Sequence, residues 1–175
     1  MSRYKFCPKC GKPLHEEERA GKARTVCGDE SCGFVHWDNP IPVVAAIVER
    51  QGKVVLVQSI GWPKTWFGLV TGFLEAGEDT VEGVKREVVE ETGLEPIEVN
   101  YVGIYPFFRM NQLIIAYHVK VKDGDVKIDA TELEEYKRVP IDKVKPWNAG
   151  TGYALNDWLK SKGIEAEFVR FGSNK

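Results

Sequence analysis

Past position 32 the chain has no cysteine at all, so disulfides cannot brace most of its length. It has no apolar run long enough to span a bilayer, no internal repeat and no low-complexity tract. The opening residues, Met1 to Cys7, do not form a secretory leader pattern. An excess of one charge is missing too. Twenty-four Lys and Arg against 26 Asp and Glu leave a formal charge of −2, with no global pull toward nucleic acid or an anionic membrane. These absences point to a cytoplasmic protein without a membrane partner. What remains, 43% hydrophobic and 29% charged over 175 residues, suffices for one ordinary core plus a small appendage.

The appendage is where the cysteines are. Cys7 and Cys10 form Cys-x2-Cys, and Cys27 and Cys32 form Cys-x4-Cys, with Gly11, Gly28 and Gly33 beside them. Glycines at such knuckles let backbone amides turn toward thiolate sulfur, and four thiolates close a tetrahedral site with no open position. That favours a structural zinc over a pair of disulfides in a cytoplasmic chain. His15 and His36 are not needed as ligands. Residues 12–26 are too polar to fold alone, so the metal is expected to supply much of their stability. Lys5, Lys9, Lys12, Arg19, Lys22 and Arg24 make this end locally basic, but Glu16, Glu17, Glu18, Asp29 and Glu30 offset them. Nucleic acid is therefore the second choice of partner.

Beyond Asn39-Pro-Ile-Pro42, expected to be a stiff linker, Val43 to Val48 reads as a strand buried on both faces. With Val54 to Val57 it forms a hairpin about Gln51-Gly52-Lys53. Further strands are expected over Trp66 to Phe73, Ile97 to Phe107, Leu113 to Val121 and Glu134 to Val139. A helix is expected over Tyr153 to Lys162, with Tyr153, Leu155, Trp158 and Leu159 available for packing. The pattern sums to a mixed sheet flanked by helices.

The chain is organised around Gly72 to Leu94, a strand end, a glycine-hinged loop and a short helix. Asp79 with Glu82 suits the helix start, and Gly93 its end. Val81, Val84 and Val88 make a core stripe. Glu87, Glu90 and Glu91 fall on a neighbouring stripe, and three carboxylates that close repel one another unless something positive sits among them. Lys85 and Arg86 could screen them in part. Hard divalent cations do so better, and oxygen-only ligands favour Mg2+ or Mn2+.

The full pattern of Gly72, Glu78, Arg86, Glu87, Val88, Glu90, Glu91, Gly93 and Leu94 resembles the Nudix hydrolase family. The resemblance implies an α/β fold: a Nudix α/β/α sandwich with a mixed sheet over 39–175, preceded by a small four-cysteine zinc ribbon over 1–38. It also implies a pyrophosphatase acting on a small-molecule nucleotide. Glu87, Glu90 and Glu91 would bind the catalytic metal or orient water, and Arg86 would hold a loop carboxylate, Glu75 or Glu78. Along the register of the ribbon-bearing NADH pyrophosphatases, Glu132 falls on a further metal-ligating or basic glutamate. Thr71 falls on a backbone-carbonyl metal ligand, and Trp37 and Phe73 on base-stacking aromatics. Ile104 to Gln112 departs from that subgroup's signature and offers Tyr105, Phe107 and Arg109 as substrate contacts. ADP-ribose and FAD are then substrates of equal standing with NADH, and homodimers occur among such relatives. Nucleoside triphosphate or RNA-cap hydrolysis, and a non-catalytic ligand sensor, are the alternatives.

Overall fold

A computed structural model describes residues 4–170, and the chain separates into two compact units, Met1–Asn39 and Pro40–Lys175. In the first, β1 (Leu14–Arg19), β2 (Lys22–Cys27) and β3 (Val35–His36) form an antiparallel sheet. The β1–β2 loop is two residues, Ala20 and Gly21, both at positive φ (52° and 73°), which matches the right-handed twist of a tight hairpin. β1 is exposed along nearly its whole length. Burial in this unit centres on Cys7, Thr25, Val26 and Cys27, so the cysteine cluster stands in for a hydrophobic core. His15 is exposed, and His36 packs edge-on against Tyr4 at 5.0 Å.

The second unit contains β4 (Ile41–Arg50), β5 (Lys53–Ser59), β6 (Val70–Phe73), α1 (Thr80–Thr92), β7 (Pro96–Phe107), β8 (Gln112–Val121), β9 (Leu133–Pro140) and α2 (Gly152–Ser161). Strand order is β7-β8-β4-β5-β9, and β6 adds to β4. β4 divides one edge between two antiparallel partners: Val43–Ala46 pair with β6, while Val48–Arg50 pair with β5. Its other edge runs parallel to β8. The Val43–Val48 run is buried throughout, as expected of a strand covered on both faces.

Alternation along β4 sorts the core into two layers. Val44, Ala46 and Val48 face α1 through Val84 and Val88, while Ile47 faces α2 through Leu155, Trp158 and Leu159. The result is a three-layer α/β/α sandwich around a mixed sheet. Several local expectations are corrected. Ile41 and Pro42 already belong to β4, because Ile41 N–H donates to Asn111 O at 2.9 Å, so the linker is shorter than 39–42. The strand expected over 66–73 contracts to β6, with Gly68 making only an isolated bridge to Val57. Tyr153 packs as expected, but at the surface, against Phe168 at 5.7 Å and not in the α2 core.

Candidate active site and metal centres

The four sulfurs of the first unit lie within 4.8 Å of one another. Cys7 and Cys32 are separated by 3.7 Å and Cys10 and Cys27 by 3.4 Å, well beyond bonding distance, and all four are free thiols. Tetrahedral zinc with Zn–S near 2.3 Å implies sulfur–sulfur spacings of about 3.8 Å, so the donor set fits zinc and not disulfides. The backbone N–H of Asp29 points at Cys27 Sγ at 3.4 Å, and Gly11 and Gly33 take φ of 73° and 65°. These are the knuckle contacts that stabilise thiolate.

In the second unit, α1 begins at Asp79, whose carboxylate accepts from Val81 N–H at 2.8 Å, and stops at Gly93 in the left-handed region with φ 67°. Glu82 pairs with Lys85 at 2.8 Å. Lys85 is thereby drawn away from the acidic stripe, and Arg86 is left as its cation. Val84 and Val88 take the core face, and Glu87 and Glu91 sit one turn apart at its border, only 9% and 6% exposed. Burying two carboxylates is costly unless each finds a partner.

Glu87 has one, since Arg86 Nη1 donates to its Oε1 at 2.7 Å. Glu91 Oε2 is buried with no hydrogen-bond partner. Burial pushes the Glu91 carboxyl up to about 8, reinforced by the charges of Glu87 and Glu132 and opposed by a backbone hydrogen bond at Thr71. Burial also raises Glu87, against the pull of Arg86. Packing extends to the neighbouring strand: a Cβ at Gly72 would lie 1.8 Å from Glu87 Cδ, so glycine alone leaves room for that carboxylate. One buried oxygen of Glu91 is left unsatisfied, and the charges of Glu87, Glu132 and Asp129 act on it, the kind of oxygen ligand a hard divalent cation takes.

Arg86 is fixed on several sides. Its Nε and Nη2 fork onto Glu78 at 2.7 and 3.0 Å, Nη2 reaches Phe73 O at 3.2 Å, and Nη1 also reaches Glu90 Oε2 at 2.8 Å. The fork selects Glu78 over Glu75, which instead donates its backbone N–H to Glu78 at 3.1 Å. The Arg86 hydrogen bonds hold the Glu78 carboxyl down to about 2.

Glu132 comes from the loop before β9. Asp129 N–H donates to Glu91 O at 3.3 Å, Glu132 N–H to Asp129 O at 3.1 Å, and Ile60 N–H to Glu132 O at 2.8 Å. The loop is thus stitched to the end of α1, where the charge of Glu132 raises both Glu87 and Glu91.

A cleft of about 1290 Å3 opens over these acids. Thr71, Glu90 and Glu132 line it, as do Phe73 (58% exposed), Phe107 and Arg109. Tyr105 does not line it. β7 bulges between Tyr101 and Gly103, and beyond it Tyr105 and Phe107 share one face: Phe107 reaches the cleft, while the Tyr105 hydroxyl donates to Asp157 of α2 at 2.9 Å. Trp37 belongs to the first unit, where Arg24 lies 5.4 Å over its ring and donates to its carbonyl. Sequence reasoning did not single out Asp129, Trp62, Trp66 or Asn148, all of which line the cleft. For Asp129 the available signal was its place three residues before Glu132.

An arginine-clamped loop acid and a helix that lays further acids beside a strand glycine thus share one cleft. Residues 39–158 match the family model described as the NUDIX domain, and the chain belongs to the Nudix hydrolase family. NAD-capped RNA hydrolase NudC of Vibrio vulnificus is 29% identical over 142 residues, covering 81% of this chain and 53% of its own. The NAD(P)H pyrophosphatase NUDT13, mitochondrial, of Mus musculus is 32% identical over 144 residues, covering 81% of this chain and 40% of its own. The chain spans about half or less of the length of these curated relatives. A crystal structure of a Nudix hydrolase from Nitrosomonas europaea superposes with a TM-score of 0.75 at 25% identity, covering 95% of this chain and 97% of that one. Among the described residues no helix is long and apolar enough to cross a membrane.

Proposed function

We propose that the chain hydrolyses the diphosphate of a nucleoside diphosphate joined to a second moiety, of the NADH, ADP-ribose or FAD type, with Mg2+ or Mn2+ at the acidic helix and structural zinc in the ribbon. The observation that carries this reading is the buried, unpartnered Glu91 Oε2 among Glu87, Glu132 and Asp129. The relatives named as acting on NAD(P)H and NAD-capped RNA support the substrate class.

Glu87, Glu91 and the Thr71 carbonyl would hold the cation. When bound, it neutralises the diphosphate and lowers the pKa of an attacking water. Glu90 would orient that water or add a ligand, and Glu132, on its own loop by the end of α1, would receive the proton or bind a further ion. Arg86 keeps Glu87 and Glu90 in place through its hold on Glu78, a positioning duty. Phe73 and Phe107 offer flat faces to a base, and Arg109 a charge for phosphate.

A second reading is favoured by the relatives' names: a diphosphate of the same type at the 5′ end of an RNA. A panel of kcat/KM values with Mg2+ or Mn2+ decides between them. NADH, ADP-ribose or FAD should exceed nucleoside triphosphates by at least tenfold, about 1.4 kcal/mol of transition-state binding. Leading values for triphosphates overturn the first reading, and a leading value for NAD-capped RNA selects the second. Metal analysis of protein purified without chelator should find about one zinc per chain, as four thiolates require.

A further inference from the structure

Between β5 and the bridge of Val57 to Gly68, residues 59–66 place two indoles on the cleft, and the acid cluster has no use for them. Trp62 and Trp66 meet edge to face, with centroids 6.2 Å apart and planes at 72°. Trp62 lies against bare backbone, since a Cβ at Gly68 would come within 3.3 Å of two of its ring atoms.

A buried polar side chain fixes this loop. Gln58, 2% exposed at the end of β5, donates from Nε2 to Pro63 O at 3.0 Å and to Trp66 O at 3.3 Å. Trp66 N–H closes a turn onto Pro63 O at 2.8 Å, and Trp62 N–H bonds Ser59 O at 3.1 Å. Ile60 N–H holds Glu132 O, so the loop that carries the indoles also steadies the loop that carries an acid. A connection with no other duty could turn in water without a desolvated amide bridging its carbonyls.

We infer that the Trp62–Trp66 pair, held by Gln58, is a second ring-binding subsite of the cleft and takes the planar group at the far end of a dinucleoside diphosphate. This deepens the proposed function and rests on it. The carboxylates grip only the phosphates, so discrimination between substrates falls to the walls. Indole presents a large π-face to any planar base and tolerates its identity. NADH and FAD carry a ring at both ends of the diphosphate and ADP-ribose at one, so the subsite separates these candidates. Gln58 is a positioning residue, acting through the tryptophans.

The test compares NADH with ADP-ribose in the full chain, in Trp62→Ala, Trp66→Ala, their Phe counterparts and Gln58→Leu. The ratio of kcat/KM for NADH over ADP-ribose should fall about tenfold or more in the Ala variants, as loss of a stacking face predicts. Phe at either position should restore most of the ratio. Gln58→Leu should lower it mainly through KM for NADH, with any fall in kcat shared equally by NADH and ADP-ribose. A parallel binding measurement, with NADH and ADP-ribose as probes and Ca2+ in place of Mg2+, reads the same ratio without turnover. An unchanged ratio in the Ala variants, or equal losses on both ligands, overturns the subsite. Wild-type protein that binds both probes but cuts neither substrate overturns the proposed activity while leaving the binding ratio to judge the subsite. Wild-type protein that binds neither overturns both.

Discussion

Glu78 and Glu91 stand near opposite ends of one loop-and-helix motif and meet opposite fates. Both Glu78 oxygens are hydrogen-bonded, and Arg86 keeps its carboxyl ionised down to about 2. Glu91 has one oxygen with no partner, and burial moves its carboxyl up to about 8. A charge satisfied inside the chain is scaffold. An acid brought into the interior and left without a partner is held back from ionising until a cation arrives, and buried, strongly shifted acids are for that reason candidates for working sites.

The sharpest way to break this contrast is to neutralise the poised side. Glu91→Gln and Glu87→Gln should each lower kcat by about a hundredfold or more, because metal-assisted hydrolysis depends on those charges. Both variants should stay folded, and steady-state kinetics with circular dichroism on the same samples checks the pair of outcomes. Saturating Mg2+ should raise the wild-type Tm by on the order of 5 °C, as ligand linkage predicts for a site filled far above its Kd. In Glu91→Gln most of that rise should vanish. Gly72→Ala comes next. Its new methyl meets the Glu87 carboxylate, so a loss of about 1–3 kcal/mol in stability is expected from overpacking, with activity falling alongside. Denaturant titration and kcat measure the two effects separately.

The satisfied side gives a smaller, pH-dependent effect. The folded-state pKa of Glu78 is depressed, so its contribution is present above the ordinary carboxylate pKa of 4.5 and is lost as pH falls toward 2. Glu78→Gln should therefore be less stable than wild type at pH 6, and the gap between their urea midpoints should close as pH falls from about 4.5. A gap independent of pH would show that the carboxylate charge is not what Arg86 needs. The smallest effect belongs to the helix start. Asp79→Ala removes one cap hydrogen bond and should cost about 1 kcal/mol, a fall in Tm of roughly 2–4 °C for a chain of this size, read by calorimetry.

Much of this contrast is legible in the order of residues alone. The motif spacing puts Glu87 and Glu91 on one helix stripe, and Gly93 marks a left-handed stop. The apolar runs of β4 and β8 call for a covered sheet. What stays hidden depends on contacts between distant segments. Arg86 has Glu75 and Glu78 both within reach along the chain, and only the backbone turn at Glu75 settles which one it clasps. The bulge in β7 reverses which side chains face each layer, so the direction of Tyr105 cannot be counted along the strand. Gln58 reads as one more polar residue at a strand end. Its importance lies in carbonyls further along the chain that local periodicity does not reach.

β4 carries a consequence of another kind, for the order in which the molecule assembles. It pairs with three strands, β5, β6 and β8, yet its parallel partner comes late: Ile41 pairs with Gln112 and Glu49 with Lys120. The hairpin with β5 and the addition of β6 use neighbours already at hand, whereas the β8 edge stays open until α1 and β7 have been made. Parallel pairings that close so long a loop are slow to form and leave apolar strands exposed in the interval. The run Val43–Val48, uncharged and strongly β-forming, is then the segment most prone to pair with another chain. Soluble yield on expression is thereby tied to how quickly β8 arrives.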